Sequence, residues 1–356
     1  MSSIATQLIH WHREYGRHHL PWQGNRDPYA IWLSEIMLQQ TQVNTVIPYY
    51  VRFMQAFPTI SSLAQSPLDA VLALWSGLGY YSRARNLHQT ARILMQDYHG
   101  QFPGTRAAIQ QLPGIGRSTA AAIAVFAYGK REAILDGNVK RVFTRYFGIA
   151  GYPGESKTQN LLWSRAEELL PVYYHAGQIE TYTQALMDLG ATVCTRRSPL
   201  CEICPLQQHC VAFKENRVNQ LPTTKLRKPL PKKETIFLML IQDQKLLLEK
   251  RPPSGIWGEL WCPPEIEIGV DAAVYCQSYL GIRVQSSIEL PVLDHQFTHY
   301  KLRIHSQLLE VVSDTLIQQN KFIWIKPSDA LEQAIPAPVR KLLKQNFLSD
   351  NRTVNI

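Results

Sequence analysis

The sequence predicts a two-part chain, mostly α over its first two thirds and α+β beyond. Three observations carry this. Apolar residues recur at helical spacing from residue 4 to about residue 190, and no alternating strand pattern occurs before residue 220. Residues 222–231 are rich in proline and basic side chains and read as a linker. After them, 235–241 and 245–249 read as strands separated by a short Asp-Gln turn. The expected boundaries are 1–221 for the helical region, 222–233 for the linker and 234–350 for the second domain. A chain of 356 residues is long enough to bury two cores.

Residues 4–15 form an amphipathic helix, which Leu20-Pro21-Trp22 ends. Asp27-Pro28 starts the next, with aspartate as cap and proline in the first turn. It runs to Leu38. Gln39-Gln-Thr-Gln42 interrupts it, and another apolar helix follows to about Phe57. Ser66-Pro67 starts a helix that stops at Gly77-Leu-Gly79. Residues 80–98 give one with a basic face through Arg83, Arg85 and Arg92. Helices follow over 105–112, 117–128, 138–147, 158–170 and 178–190. Past the linker, 303–311 and 322–325 add strands, and 271–280 and 338–347 add helices.

The net charge is +9, which suits a polyanionic partner. Much of the excess lies in Lys214, Arg217, Lys225, Arg227, Lys228, Lys232 and Lys233, opposed within that stretch by Glu215 alone. Such a run is also what a solvated linker carries. No apolar stretch is long enough to span a bilayer, and the amino terminus lacks the form of a signal peptide. An intracellular protein is expected, in which cysteines serve metals or chemistry more often than disulfides.

Leu112-Pro113-Gly114-Ile115-Gly116 lies between two helical segments. Two glycines around one apolar residue make a hairpin whose amides, with the start of the next helix, suit a phosphate. A plain helix connector has the same composition. Asp136, twenty residues on, opens another helix beside Gly137. It can act as an N-cap or as a carboxylate for glycosidic chemistry. Glu35 lies on the helix with Ile31, Trp32 and Leu38 on its face, an apolar wall that favours the acid form. The commoner role of such a glutamate is a solvated charge at a helix edge. Cys194, Cys201, Cys204 and Cys210 are separated by six, two and five residues. Zinc sites usually come as two close pairs; this unequal spacing suits a cubane cluster on four thiolates. Gln39, Gln40, Thr41, Leu78 and Tyr80 lie in polar or glycine-rich helix junctions of the kind that can enter a base stack. Half-buried packing is the commoner use of Tyr80 and Tyr81.

Together these motifs resemble the helix-hairpin-helix Gly/Pro…Asp superfamily of DNA glycosylases. More closely, Leu33 to Val43, Gly77-Leu-Gly-Tyr-Tyr81, the hairpin, Leu135 to Arg141 and the four cysteines resemble the adenine DNA glycosylase, or MutY, family of base excision repair. The resemblance implies a 4Fe-4S cluster, a duplex DNA partner with A:8-oxoguanine or A:G mispairs, and hydrolysis of the N-glycosidic bond of adenine. Glu35 would be the general acid, Asp136 the carboxylate that stabilises the C1′ cation, and Asn138 its support. Trp22 and Gln184 would match adenine-pocket positions, and Gln40, Thr41, Leu78 and Tyr80 the residues that wedge into the duplex. Gly114 and Gly116 would hold the DNA backbone. Relatives that also cut the strand carry a lysine where this chain has Ser118, so a monofunctional enzyme that leaves an abasic site is expected. Ser254 to Pro264 resembles a motif of the family's MutT-like, or Nudix-like, domain. The acidic residues of a true Nudix hydrolase are missing from Val274-Tyr-Cys-Gln-Ser-Tyr-Leu280, so this domain should bind rather than hydrolyse. Phe297, Thr298 and His299 match the loop that reads 8-oxoguanine. A bacterial-type cytoplasmic, nucleoid-associated monomer is implied.

Overall fold

Helical spacing becomes helix nearly wherever it is unbroken. The computed structural model describes residues 3–172, 175, 177–225, 229–314 and 321–348. Arg227 and Lys228 of the basic stretch, and residues 349–350 at the expected end of the second domain, lie outside them. The chain divides into two units, Met1–Gln65 with Asn86–Arg227, and Ser66–Arg85 with Lys228–Ile356.

The first unit is helical. Ser3 accepts a hydrogen bond from the Thr6 amide and starts α1 (Ile4–Tyr15). Asp27 does the same for Tyr29 at the head of α2 (Pro28–Leu38). In α2, Ala30, Trp32, Leu33 and Met37 are wholly buried. It is apolar on nearly all sides, as a central helix must be. α3 (Val43–Ala56) follows. α4 (Ile60–Gln65) was not expected from the sequence: Thr59 and Ser62 each take the other's backbone amide on a hydroxyl and so begin a short helix. α5 (Leu68–Trp75) and the start of α6 (Ser82–Asp97) fall in the other unit.

Only Arg106–Ile109 (α7) of the expected helix 105–112 is α-helical. It passes through turns into the hairpin and α8 (Arg117–Tyr128). Ala120, Ala121, Ala122 and Ala124 of α8 are buried, and side chains this small let α2 pack closely. α9 (Gly137–Tyr146), α10 (Ser156–Glu168) and α11 (Gln178–Asp188) complete this core with α1. α11 runs on as a π turn, Leu189–Val193, into the cysteine loop and α12 (Val211–Lys214).

The second unit is built on one sheet. Its strands are β1 (Lys232–Gln242), β2 (Lys245–Lys250), β3 (Trp261–Cys262), β4 (Glu265–Ile266), β5 (Ile282–Gln296), β6 (Lys301–Asp314) and β7 (Phe322–Ile325). The order is β3-β2-β1-β6-β5, with β4 paired to β1 and β7 to β2. β1 and β6 are parallel and the other pairs antiparallel. β1 is covered on both faces, which is why it reads as an unbroken apolar run rather than an alternation. α13 (Ala272–Tyr275), continued by a π turn, α14 (Pro327–Ala330) and α15 (Ala337–Phe347) accompany the sheet.

Strands β3, β4 and β5 are additions to the sequence reading. β5 is the outer strand and is exposed along much of its length. With no face buried throughout, it has no apolar alternation to reveal it. Residues 66–85 are tied into this unit by the ion pair of Lys250 with Asp69 (2.7 Å) and the bond from Arg85 Nη1 to the Gly258 carbonyl (3.0 Å). Among the described residues, no helix is long and apolar enough to cross a membrane.

Candidate active site and cysteine loop

The first unit encloses a cavity of about 1090 Å³ whose wall includes Trp22, Glu35, Ser118, Asp136, Asn138 and Gln184. Glu35 reaches it from α2, with Ile31 one turn before it and Leu38 one turn after it in the same wall. Trp32 does not line it; that ring is fully buried and packs edge-on against Phe102. Glu35 keeps part of its surface open to the cavity, yet its carboxyl is surrounded by protein. Burial pushes its pKa up to about 8, and the charge of Asp136 adds to the rise. The two acids, a hundred residues apart in the chain, therefore share one electrostatic environment.

Asp136 caps α9, its Oδ1 accepting from the Val139 amide at 2.8 Å. Burial raises its pKa, while backbone amides and the charges of Arg141 and Lys140 oppose the rise. These groups restrain a rise that burial still carries, a counterweight Glu35 lacks. Ser118 Oγ accepts the Leu135 amide at 2.9 Å, so this hydroxyl fixes the strand of chain that delivers Asp136. Asn138 Oδ1 accepts from Arg141 Nη2 at 2.8 Å. Arg141 also donates to the Gly190 carbonyl and, through Nε, to the Cys194 carbonyl at 2.7 Å. Gly190 is required there: a Cβ on it would fall 2.6 Å from that of Asn138.

On α11, Gln184 Nε2 donates to Asp188 at 3.0 Å. Asp188 is fully buried, and Arg17 donates to both of its oxygens. One of the two donor hydrogens of the Gln184 amide is thereby occupied. One turn before it, Glu180 also lines the cavity. Its Oε1 pairs with Arg26 at 3.0 Å, and its buried Oε2 has no hydrogen-bond partner. Glu180 was not singled out in the sequence. Its spacing of four from Gln184 on one helix face was the available signal. An unpaired buried acceptor is costly unless something else satisfies it, which makes Glu180 a candidate contact for a bound base.

Trp22 lies edge-on to Tyr50, ring centroids 5.3 Å apart. Gln40 and Thr41 reach the same cavity wall, and Gln40 has a left-handed φ of 57°. In the hairpin, Gly114 has φ 77°, and a Cβ there would meet the Asn86 side chain at 2.9 Å. Space beside Gly116 is open.

The other predicted residues lie in the second unit. Leu78 is buried, and Tyr80 is exposed with φ 49°. Phe297 is anchored among Trp257 (5.4 Å) and Tyr300 (4.6 Å), while Thr298 and His299 are exposed in the turn between β5 and β6.

The four cysteines are free and ring one small apolar pocket. Among the described residues, no three His, Cys, Asp or Glu side chains converge tightly enough to hold a single metal ion. Burial pushes the Cys204 thiol up to about 12, and its three cysteine neighbours add to this; the Cys201 and Cys210 thiols are raised as well. A cationic iron–sulfur core wide enough to take one thiolate at each corner fits this ring and relieves the crowding. Arg145 supports the loop by donating to the Thr195 carbonyl at 2.7 Å and to Cys194 Sγ at 3.4 Å.

The raised Glu35 pKa has a thermodynamic consequence. Between about pH 4.5 and 8 the unfolded chain releases this proton and the native chain keeps it, so stability falls as pH rises through that window and levels off above it. Glu35→Gln should therefore raise stability at pH 7 by about 2 kcal/mol, less than full linkage because part of the residue's surface is open to the cavity, and should change it little at pH 4. Denaturant unfolding at the two pH values checks this; equal gains at both would contradict the burial argument.

Three family models match separate stretches of the chain. Residues 33–168 match the HhH-GPD superfamily base excision DNA repair protein, 194–210 the iron–sulfur binding domain of endonuclease III, and 235–345 the NUDIX domain. The adenine DNA glycosylase of Buchnera aphidicola subsp. Baizongia pistaciae is 40% identical over 338 residues, which cover 94% of each chain. The adenine DNA glycosylase of Homo sapiens is 42% identical over 230 residues, 62% of this chain and 41% of the human one. Among solved structures, a thermostable thymine-DNA glycosylase superposes with a TM-score of 0.54 at 32% identity, over 59% of this chain and 95% of that one. The cysteine loop is that of a 4Fe-4S protein, and the chain belongs to the adenine DNA glycosylase family.

Proposed function

We propose that this protein acts as a monomer on duplex DNA and hydrolyses the N-glycosidic bond of adenine mispaired with 8-oxoguanine or guanine, leaving an abasic site. The observation that carries this is the pair of unlike carboxyls in one cavity: Glu35, whose pKa burial pushes up to about 8, and Asp136, whose pKa burial also raises but backbone amides, Arg141 and Lys140 restrain. Two carboxyls in unlike surroundings, one raised by burial without opposition and the other with amides and cations against the rise, can divide the work of glycoside cleavage.

In this reading the everted adenine lies against Trp22, with Glu180 Oε2 accepting from its exocyclic amine and Gln184 bordering the base. Glu35 donates its proton to adenine N7. The C1′–N9 bond then breaks with its electron pair on the base, and the Asp136 carboxylate stabilises the sugar cation. Asn138, steadied by Arg141, keeps that carboxylate in place. Water adds to C1′ and gives its proton to the Glu35 carboxylate, which restores the acid. Gln40, Thr41, Leu78 and Tyr80 enter the duplex. Gly114 and Gly116, at the start of α8, hold a backbone phosphate. Cys194, Cys201, Cys204 and Cys210 would hold the 4Fe-4S cluster, whose bonds cross-link residues 194–210.

No lysine stands at position 118, and the serine there is engaged with the Leu135 amide. With no amine at position 118 to form a Schiff base, strand scission has no driver there, and Lys140 near Asp136 would trap the aldehyde only incidentally. Single-turnover assays on an A:8-oxoguanine duplex should yield free adenine and an intact strand until base is added. Nicking as fast as adenine release would refute the monofunctional reading.

The pH dependence follows from the same acids. The rate of adenine release should fall about tenfold per pH unit above roughly 8, where Glu35 loses its proton. A limb at low pH should mark protonation of Asp136. An alkaline limb that survives unchanged in Glu35→Gln would assign it elsewhere.

Adenine is an undamaged base, so its own pocket cannot tell a wrong site from a right one. In the second unit, anchored Phe297 presents exposed Thr298 and His299 for inspection of the opposite base. Removing residues 234–356 should leave some adenine release but shrink the ratio of rates opposite 8-oxoguanine and guanine. An unchanged ratio would count against the assignment.

A further inference from the structure

The base of the loop that carries Tyr80 is closed from residues near the end of the chain, all within the second unit. Ser76 Oγ donates to the Ile335 carbonyl at 2.8 Å, and Tyr81 Oη donates to the same carbonyl at 3.2 Å. These hydroxyls flank Gly77, Leu78, Gly79 and Tyr80, so one acceptor gathers both ends of the loop. Tyr81 Oη in turn accepts the Gly77 amide at 3.3 Å. Arg340 Nη2 donates to Ser76 Oγ at 3.0 Å and to the Leu331 carbonyl at 2.7 Å, which fixes the hydroxyl from the side of α15. Ile335 is fully buried, and its neighbour Ala334 accepts the Trp261 amide of β3 at 2.8 Å, so the acceptor is fastened to the sheet.

The loop itself is held in a costly shape. Tyr80 has a left-handed φ of 49°, and a tyrosine keeps that only when its surroundings impose it. Arg83 contributes from within by donating to the Leu78 and Gly79 carbonyls and placing its guanidinium 5.5 Å from the Tyr80 ring. The Trp75 indole also donates to the Gly79 carbonyl, at 3.1 Å.

The geometry points to a clamp: the Ile335 carbonyl, with Ser76, Tyr81 and Arg340, sets the projection of Tyr80 and makes the C-terminal domain a positioning element for the intercalating loop as well as a reader of the opposite base. This rests on the reading of Tyr80 as a duplex wedge. Tyr81 and Arg340 are positioning residues that act through Tyr80.

A double-mutant cycle tests it. Binding to an A:8-oxoguanine duplex is measured in full-length protein carrying Glu35→Gln, which prevents turnover, with Tyr81→Phe, Tyr80→Ala and both together. Tyr81→Phe should weaken binding about three- to tenfold, the range of one or two net hydrogen bonds. Added to Tyr80→Ala it should cost nothing more, because the group it positions is gone. Additive losses, or no loss from Tyr81→Phe alone, would overturn the clamp. If Tyr80→Ala binds as tightly as its parent, the wedge reading itself falls and the clamp with it. Should Tyr81→Phe fail to fold, as judged by its thermal transition, Arg340→Met takes its place in the same cycle with the same expected non-additivity.

Discussion

Two arginines one turn apart on α9 tie the wall of the cavity to the cysteine loop. Arg141 joins Asn138 to the Gly190 and Cys194 carbonyls, and Arg145 joins Thr195 and Cys194 to the Val218 and Leu221 carbonyls. Asp136 stands at the head of the same helix. The cysteine loop and the Asp136 carboxylate are therefore placed by one rigid element rather than by two loops that must agree. Guanidiniums suit this duty, because their donors are numerous and planar and can satisfy several carbonyls that no regular element serves.

The cavity holds two carboxyls in unlike surroundings. Glu35 comes from an apolar helix and meets no cation there; Asp136 receives helix amides and sits near Arg141 and Lys140. Chain position alone gives neither fact. What gives them is the packing of α2 against α8, where small alanines let the acid-bearing helix approach the segment that Ser118 steadies.

Much of this was legible in the sequence because it is written in local chemistry. Asp27-Pro28 announces a helix start, Gly114 a left-handed turn, and four cysteines at unequal spacing a cluster loop. What stayed hidden is long-range. Strand β5 buries no continuous face, so its residues alternate in nothing that a periodicity detects. Glu180 looks like any acid in a first helical turn until the structure leaves one of its oxygens unpaired. Residues 66–85 carry helical signals that say nothing of the Lys250, Gly258 and Ile335 contacts that draw them to the second unit.

Asp136 has two duties on one carboxylate: it ends the backbone's demand for a cap at Val139, and it faces the cavity. Asparagine satisfies a helix start about as well as aspartate, whereas alanine forfeits on the order of 1 kcal/mol there. An amide at this position would therefore remove the negative charge while sparing the scaffold, and a methyl would damage both at once. Substitution here meets the demand of the helix start before any demand of charge, and only a side chain with an oxygen in the same place satisfies the first.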